Sequence, residues 1–281
     1  MTRRLMTKQL VSRFDKKLIP ALPKVQFEGR IEIVRSELEA HKAVDYLLTQ
    51  PALGFDTETR PSFTRGKSYR VALLQVCSRE ICFLFRLDMI GLSESIQRLL
   101  TDTTVTKVGL SWNDDIRSLR RRGDFDCAPF VELQQMCREL GVKDMSLQKL
   151  YANVFGQRIS KTQQLSNWEV ENYSEPQKRY AATDAWACLM LYEEFRRLKD
   201  TGDFELEIIP EPEPPQFEPK LEVEKQKSKK ATSRTNKKPT GKRRKTGATP
   251  KESIKESVPK EKRTRKKTTS KSKNNEHQLV S

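Results

Sequence analysis

The chain has 281 residues, a third of them charged, with a mean hydropathy of −0.75 and a net charge of +16. It contains no apolar run near the roughly 20 residues that a membrane span needs, and its first ten residues are too polar for the core of a secretory leader. Five cysteines (Cys77, Cys82, Cys127, Cys137, Cys188) form no Cys-x-x-Cys pair and only two histidines, His41 and His277, accompany them. That pattern argues against zinc and for reduced, mostly buried thiols in a soluble cytoplasmic protein, or a nuclear one if the source is eukaryotic.

Residues 1–29 read as an N-terminal extension, with Leu5, Leu10, Phe14, Leu18 and Ile19 scattered among basic positions as in a short docking helix. From 30 to 200 the pattern is that of one globular domain. A strand is expected over 31–34, then a helix over 37–49 through Leu38, Ala43, Val44 and Leu47. Three strands follow, 52–56, 71–77 and 81–86, with a turn-rich segment at 61–68, which suits an antiparallel meander. Next come a helix at 96–100, a strand at 105–110, a helix opening near 114, and helices at 146–155 and 175–197. This order predicts an α/β fold, a mixed sheet flanked by helices. Residues 201–219 read as a Pro/Glu-rich linker. Residues 220–281 lack aromatics and read as a disordered Lys/Arg-rich tail.

The charge is uneven. Residues 1–219 hold 32 Lys+Arg and 32 Asp+Glu, whereas 220–281 hold 22 Lys+Arg and 6 Glu, so the tail supplies the whole excess. A neutral body with a cationic tail points to a polyanionic partner, because lysine and arginine release counterions from phosphates. A solubilising extension is the bland alternative. Nothing in the sequence sets an oligomeric state.

Three acidic signals stand out. In Gly54-Phe55-Asp56-Thr57-Glu58-Thr59, Asp56 and Glu58 are two apart on a strand, hence on one face, where two carboxylates invite a hard cation. Taken alone, an acidic turn is the commoner meaning. In Leu110-Ser111-Trp112-Asn113-Asp114-Asp115, a strand ends and a helix begins. One aspartate there is a natural cap, and Asp115, next to the buried face marked by Ile116 and Leu119, suits a site better than Asp114. In Tyr180-Ala181-Ala182-Thr183-Asp184, Tyr180 and Asp184 share a helix face, and small residues let that helix lie close to a sheet. Arg158 and Lys161 read first as solvated charge and second as substrate contacts, whereas the run Arg117, Arg120, Arg121, Arg122 reads equally as either. Trp168 and Trp186 read as core.

In combination, these segments resemble the three motifs of the DEDD superfamily of 3′-5′ exonucleases, tyrosine branch. Phe-Asp-Thr-Glu, Asp115 six residues after Gly109, and Tyr-x-x-x-Asp carry the likeness, which covers roughly 30–198. It is nearest to the Werner-type exonuclease domain, through Phe130-Val131-Glu132-Leu133 and Ser166-Asn167-Trp168 as well, and to RNase D. The resemblance implies an RNase H-like fold and two divalent ions, Mg²⁺ or Mn²⁺. It also implies Asp56, Glu58, Asp115 and Asp184 as metal ligands, Tyr180 as the residue orienting the attacking water, and nucleic-acid 3′ ends as substrate. DNA is the first expectation. An exoribonuclease of the RNase D kind is the alternative, and a non-catalytic nucleic-acid-binding protein ranks below both. Neither a helicase motor nor a helical RNA-binding module is recognisable beside the domain.

Overall fold

The computed structural model describes residues 7–210; the tail 220–281, the later part of the expected linker and the first six residues lie outside that range. Strands β1 (Lys8–Val11) and β2 (Lys24–Val25) flank a 3₁₀ turn at Lys16–Ala21, and apolar alternation builds β3 (Arg30–Val34). Helix α1 (Glu37–Leu47) follows, opened by a Ser36/Glu39 capping box. Then come β4 (Ala52–Thr59), β5 (Val71–Cys77), β6 (Ile81–Arg86), α2 (Leu87–Ile90), α3 (Glu94–Thr101), β7 (Thr106–Gly109) and α4 (Trp112–Leu119). The chain continues through β8 (Val131–Glu132), α5 (Leu133–Glu139), α6 (Leu147–Phe155), β9 (Arg158–Ile159), α7 (Glu175–Thr201) and β10 (Phe204–Glu207).

The main sheet has the order β3-β6-β5-β4-β7-β8. β4, β5 and β6 form the expected antiparallel meander, while β3, β7 and β8 pair parallel to their neighbours. Every residue of β5 is buried, as a central strand covered on both faces requires. One face packs Phe55, Leu74 and Val76 against Val44, Leu47, Leu99 and Trp112. The other packs Leu73 and Leu84 beneath Ala181, Ala182 and Ala185 of α7. The mixed α/β fold expected from the sequence is the one observed. Among the described residues no helix is long and apolar enough to cross a membrane.

Two findings differ from the sequence reading. Among the described residues of the N-terminal segment there is no docking helix of the α type; β1 instead pairs in parallel with β10, Leu10 opposite Leu206, and β2 pairs with β9. The folded body therefore reaches past both edges of the 30–200 domain, and its last strand lies inside the expected linker. Local periodicity cannot show a four-residue strand whose partner is nearly 200 positions away. The second difference is a disulfide. Cys77 and Cys82 face each other across the β5–β6 hairpin, with Cα atoms 4.1 Å apart, and are bonded; Cys127, Cys137 and Cys188 are free. The hairpin register, invisible in the spacing, brings the two sulfurs together.

Candidate active site

β4 runs three residues beyond its expected end because Asp56 and Glu58 continue its ladder with β5, opposite Gln75 and Leu73. Period-two geometry turns Gly54, Asp56 and Glu58 to the same face. Gly54 identifies that face: a Cβ there would sit 2.0 Å from the Ala185 carbonyl oxygen, so only glycine lets α7 lie this close. α7 is a 27-residue helix opened by a Ser174/Gln177 capping box and Pro176. Its small residues at 181, 182 and 185 let it settle on the sheet, which lowers Asp184 onto the two strand carboxylates.

One ligand oxygen from each of Asp56, Glu58 and Asp184 lies within 4.8 Å of the others; Glu58 and Asp184 are buried and Asp56 is half-buried. Burial pushes the Glu58 carboxyl far above the usual range, and Asp56, Asp184 and Asp115 push it further. Asp56 rises well above its ordinary value through burial and then through Asp184 and Asp115. Asp184 is raised by burial, against the lowering effect of a Tyr180 hydrogen bond and of the nearby Lys161 cation. The Tyr180 phenol itself is held protonated, first by burial and then by the negative charge of Asp184, to which it donates. These acids border a cleft of about 330 Å³ that also takes in Ser160, Lys161 and Gln164.

Asp115 arrives from the opposite face of the sheet. Phe55, pointing away from the acids, meets Trp112 and Phe130 with ring centroids 5.5 and 5.1 Å away, and this cluster seats α4 against β4. The first turn of α4 is fixed by Glu132, whose carboxylate accepts from the backbone N–H groups of Ser111 (2.8 Å) and Trp112 (2.9 Å). Ser111 holds a left-handed φ of 59°, and its hydroxyl accepts from Gln134. So neither aspartate caps this helix: the cap comes from β8. Asp115 accepts a hydrogen bond from the Thr57 hydroxyl. Burial raises its carboxyl, Thr57 lowers it, and Asp114 and Glu132 raise it again. Asp115 thus stands beside the three clustered acids rather than among them. Asp114 is exposed and pairs with Arg117 at 3.2 Å.

The sequence did not single out Thr57, the hydrogen-bond partner of Asp115, or Glu132, the anchor of α4. Glu132 had a signal, as the acidic residue of Phe130-Val131-Glu132-Leu133; Thr57 had one as the residue between the paired acids. Of the cationic candidates, Lys161 borders the cleft. Arg158 donates to the Leu22 carbonyl and Arg122 to the Val71 carbonyl, so both serve the fold. Trp168 is fully buried.

The sequence pattern of a 3′-5′ exonuclease domain matches residues 31–199, more than half of the chain. The chain belongs to the 3′-5′ exonuclease family. Over 156 residues it is 34% identical to the mouse bifunctional 3′-5′ exonuclease/ATP-dependent helicase WRN, covering 53% of this chain and only 11% of that protein. An Arabidopsis thaliana 3′-5′ exonuclease is 28% identical over 194 residues, covering 63% of this chain and 67% of that one. In fold, Escherichia coli RNase D superposes with a TM-score of 0.55 at 19% identity, over 61% of this chain and 45% of that one. The 3′-5′ exonuclease family depends on divalent metal, and the buried acidic cluster fits that dependence: its donors are hard oxygens, and among the described residues no lysine or arginine is ion-paired with any of the three.

Proposed function

We propose that the chain hydrolyses phosphodiester bonds stepwise from the 3′ end of a nucleic acid, with DNA as substrate and Mg²⁺ or Mn²⁺ as the ions. The observation that carries this reading is the convergence of Asp56, Glu58 and Asp184 within 4.8 Å, mostly out of water and, among the described residues, with no lysine or arginine bonded to them. Asp56, Glu58 and Asp184 hold the ions, and Asp115 completes the set from α4. When bound, two such ions stabilise the attacking and leaving oxygens of an in-line displacement. Tyr180 keeps its proton and presents its hydroxyl beside Asp184, where it orients the attacking water. Lys161, at the cleft wall, meets a substrate phosphate. DNA is favoured by the similarity to the Werner-type domain.

The test is digestion of matched 5′-labelled DNA and RNA oligonucleotides with Mg²⁺ or Mn²⁺. A ladder of shortened labelled DNA is expected; cleavage of circular strands would indicate an endonuclease, and a ladder on RNA alone would assign the substrate to RNA. The Lys/Arg-rich segment 220–281 supplies phosphate contacts outside the site. Deleting it is expected to flatten the dependence of log K on log[salt], by roughly 0.7 per lost single-strand contact, and to leave single-turnover cleavage of a short saturating oligonucleotide unchanged.

A further inference from the structure

Gln75 is fully buried, and neither end of its side-chain amide has a hydrogen-bond partner. An unpaired buried polar group destabilises the fold, because it has given up water and gained no partner. Leu73 and Cys77 flank Gln75 on the same side of β5, and Leu84 lies opposite it on β6, so an apolar residue would fill this layer without that cost.

Its other neighbour supplies a reason. Across the ladder Gln75 is paired with Asp56. Opposed residues of antiparallel strands share a face, with Cβ atoms about 4.5–5.5 Å apart. Gly54, two residues along β4, abuts Ala185 of α7, so the shared face is the one that carries the acidic cluster. The Thr57 backbone N–H lowers the Asp56 carboxyl, and among the described residues no side chain donates a hydrogen bond to it. A buried amide without partners therefore stands next to a carboxylate without a side-chain donor.

We propose that Gln75 is the positioning residue for Asp56: in the cation-loaded site its Nε2–H donates to the Asp56 carboxylate, directly or through one water. A neutral donor suits this place. It fixes the orientation of an anionic ligand oxygen without adding a positive charge that would compete with the ion, as lysine or arginine would. The inference rests on the metal-binding reading above.

The experiment is a calorimetric Mn²⁺ titration of the full chain, wild type and Gln75→Met, paired with thermal unfolding of both in EDTA. Methionine keeps the length and flexibility of glutamine and removes the amide. Mn²⁺ affinity is expected to fall about 10–100-fold, while the melting temperature in EDTA holds or rises because an unpaired polar group is gone. A purely structural Gln75 would give the reverse, a lower melting temperature with unchanged affinity, and that result overturns the proposal. If Gln75→Met does not fold, a crystal structure of the wild-type chain with Ca²⁺ decides. Nε2 bonded to Asp56, or to a water on Asp56, supports the assignment; separation without a bridging water overturns it. A wild-type chain that binds no Mn²⁺ would remove the metal reading and this inference together, whereas equal affinities for wild type and Gln75→Met remove only the role of Gln75.

Discussion

Ten residues apart on α7, Asp184 and Glu194 are two acids treated in opposite ways. Glu194 meets Arg197 at 2.9 Å and Lys8 at 3.0 Å. Those partners, Arg197 first, bring its carboxyl down to about 2 despite partial burial. Asp184 is more deeply buried, shares its space with Asp56 and Glu58, and is raised instead. The Glu194 end ties β1 to α7 and so helps hold the fold. The Asp184 end brings together acids that, among the described residues, no lysine or arginine is ion-paired with, so each of them that ionises destabilises the metal-free fold.

The sharpest way to break this contrast is at the uncompensated end. Asp56→Asn or Asp184→Asn is expected to cut single-turnover cleavage by about 10³-fold or more. Neither is expected to lower the melting temperature in EDTA at pH 8. The sign follows from linkage: acids whose folded pKa is raised bind more protons in the folded state, so metal-free stability falls as pH climbs through and above the ordinary carboxylate range. Each asparagine removes part of that fall. Differential scanning calorimetry of wild type and variants from pH 4 to 8 checks it, and a steeper loss with pH in the variants would contradict the argument. Tyr180→Phe comes next. A phenol that acts on the attacking water matters chiefly in the transition state, so kcat is expected to drop about 10²-fold with little change in KM. An unchanged single-turnover rate would leave Tyr180 as packing alone.

Glu132 tests an intermediate case, an acid satisfied by backbone N–H groups rather than by cations. Glu132→Ala removes the acceptor for Ser111 and Trp112 and with it the anchor for the first turn of α4. A stability cost of about 1 kcal/mol is expected, together with a roughly tenfold loss of activity through displaced Asp115. Urea unfolding and steady-state rates measure both, and full activity would show that α4 is held by its aromatic contacts alone.

How much of this was legible in the sequence depended on distance along the chain. Asp56 with Glu58, and Tyr180 with Asp184, were readable because each rests on a spacing of two or four within one element, and the meander because its three strands follow one another directly in the chain. The preference for Asp115 over Asp114 followed from the apolar neighbours Ile116 and Leu119, and the structure turns Asp115 to Thr57 and Asp114 to solvent. What was not readable depends on register between elements: β1 against β10, Cys77 opposite Cys82, Glu132 capping α4, and Gln75 opposite Asp56. Each pairs groups whose relation exists only once the sheet has formed, and no local period records it.

The smallest expected effect lies at the satisfied end of α7. Glu194 has a depressed carboxyl pKa, so its contribution is complete above the ordinary carboxylate range and is lost as pH falls from about 4.5 toward about 2. Its side chain is only 15% exposed, but Lys8 and Arg197 are 27% and 33% exposed, so solvent screens the pair. Glu194→Gln is therefore expected to cost about 1 kcal/mol or less at pH 7, a drop in melting temperature of a few degrees. The same substitution is expected to make unfolding less sensitive to acid, because a neutral amide has no proton to take up in that window. Melting curves from pH 7 to 3 are then expected to converge for wild type and variant at the acid end. Cleavage at neutral pH is expected to stay at the wild-type rate, since nothing in the cleft touches this residue. A variant that lost activity without losing stability would mean that the two ends of α7 are coupled, and that the division between structural and functional acids along this helix is wrong.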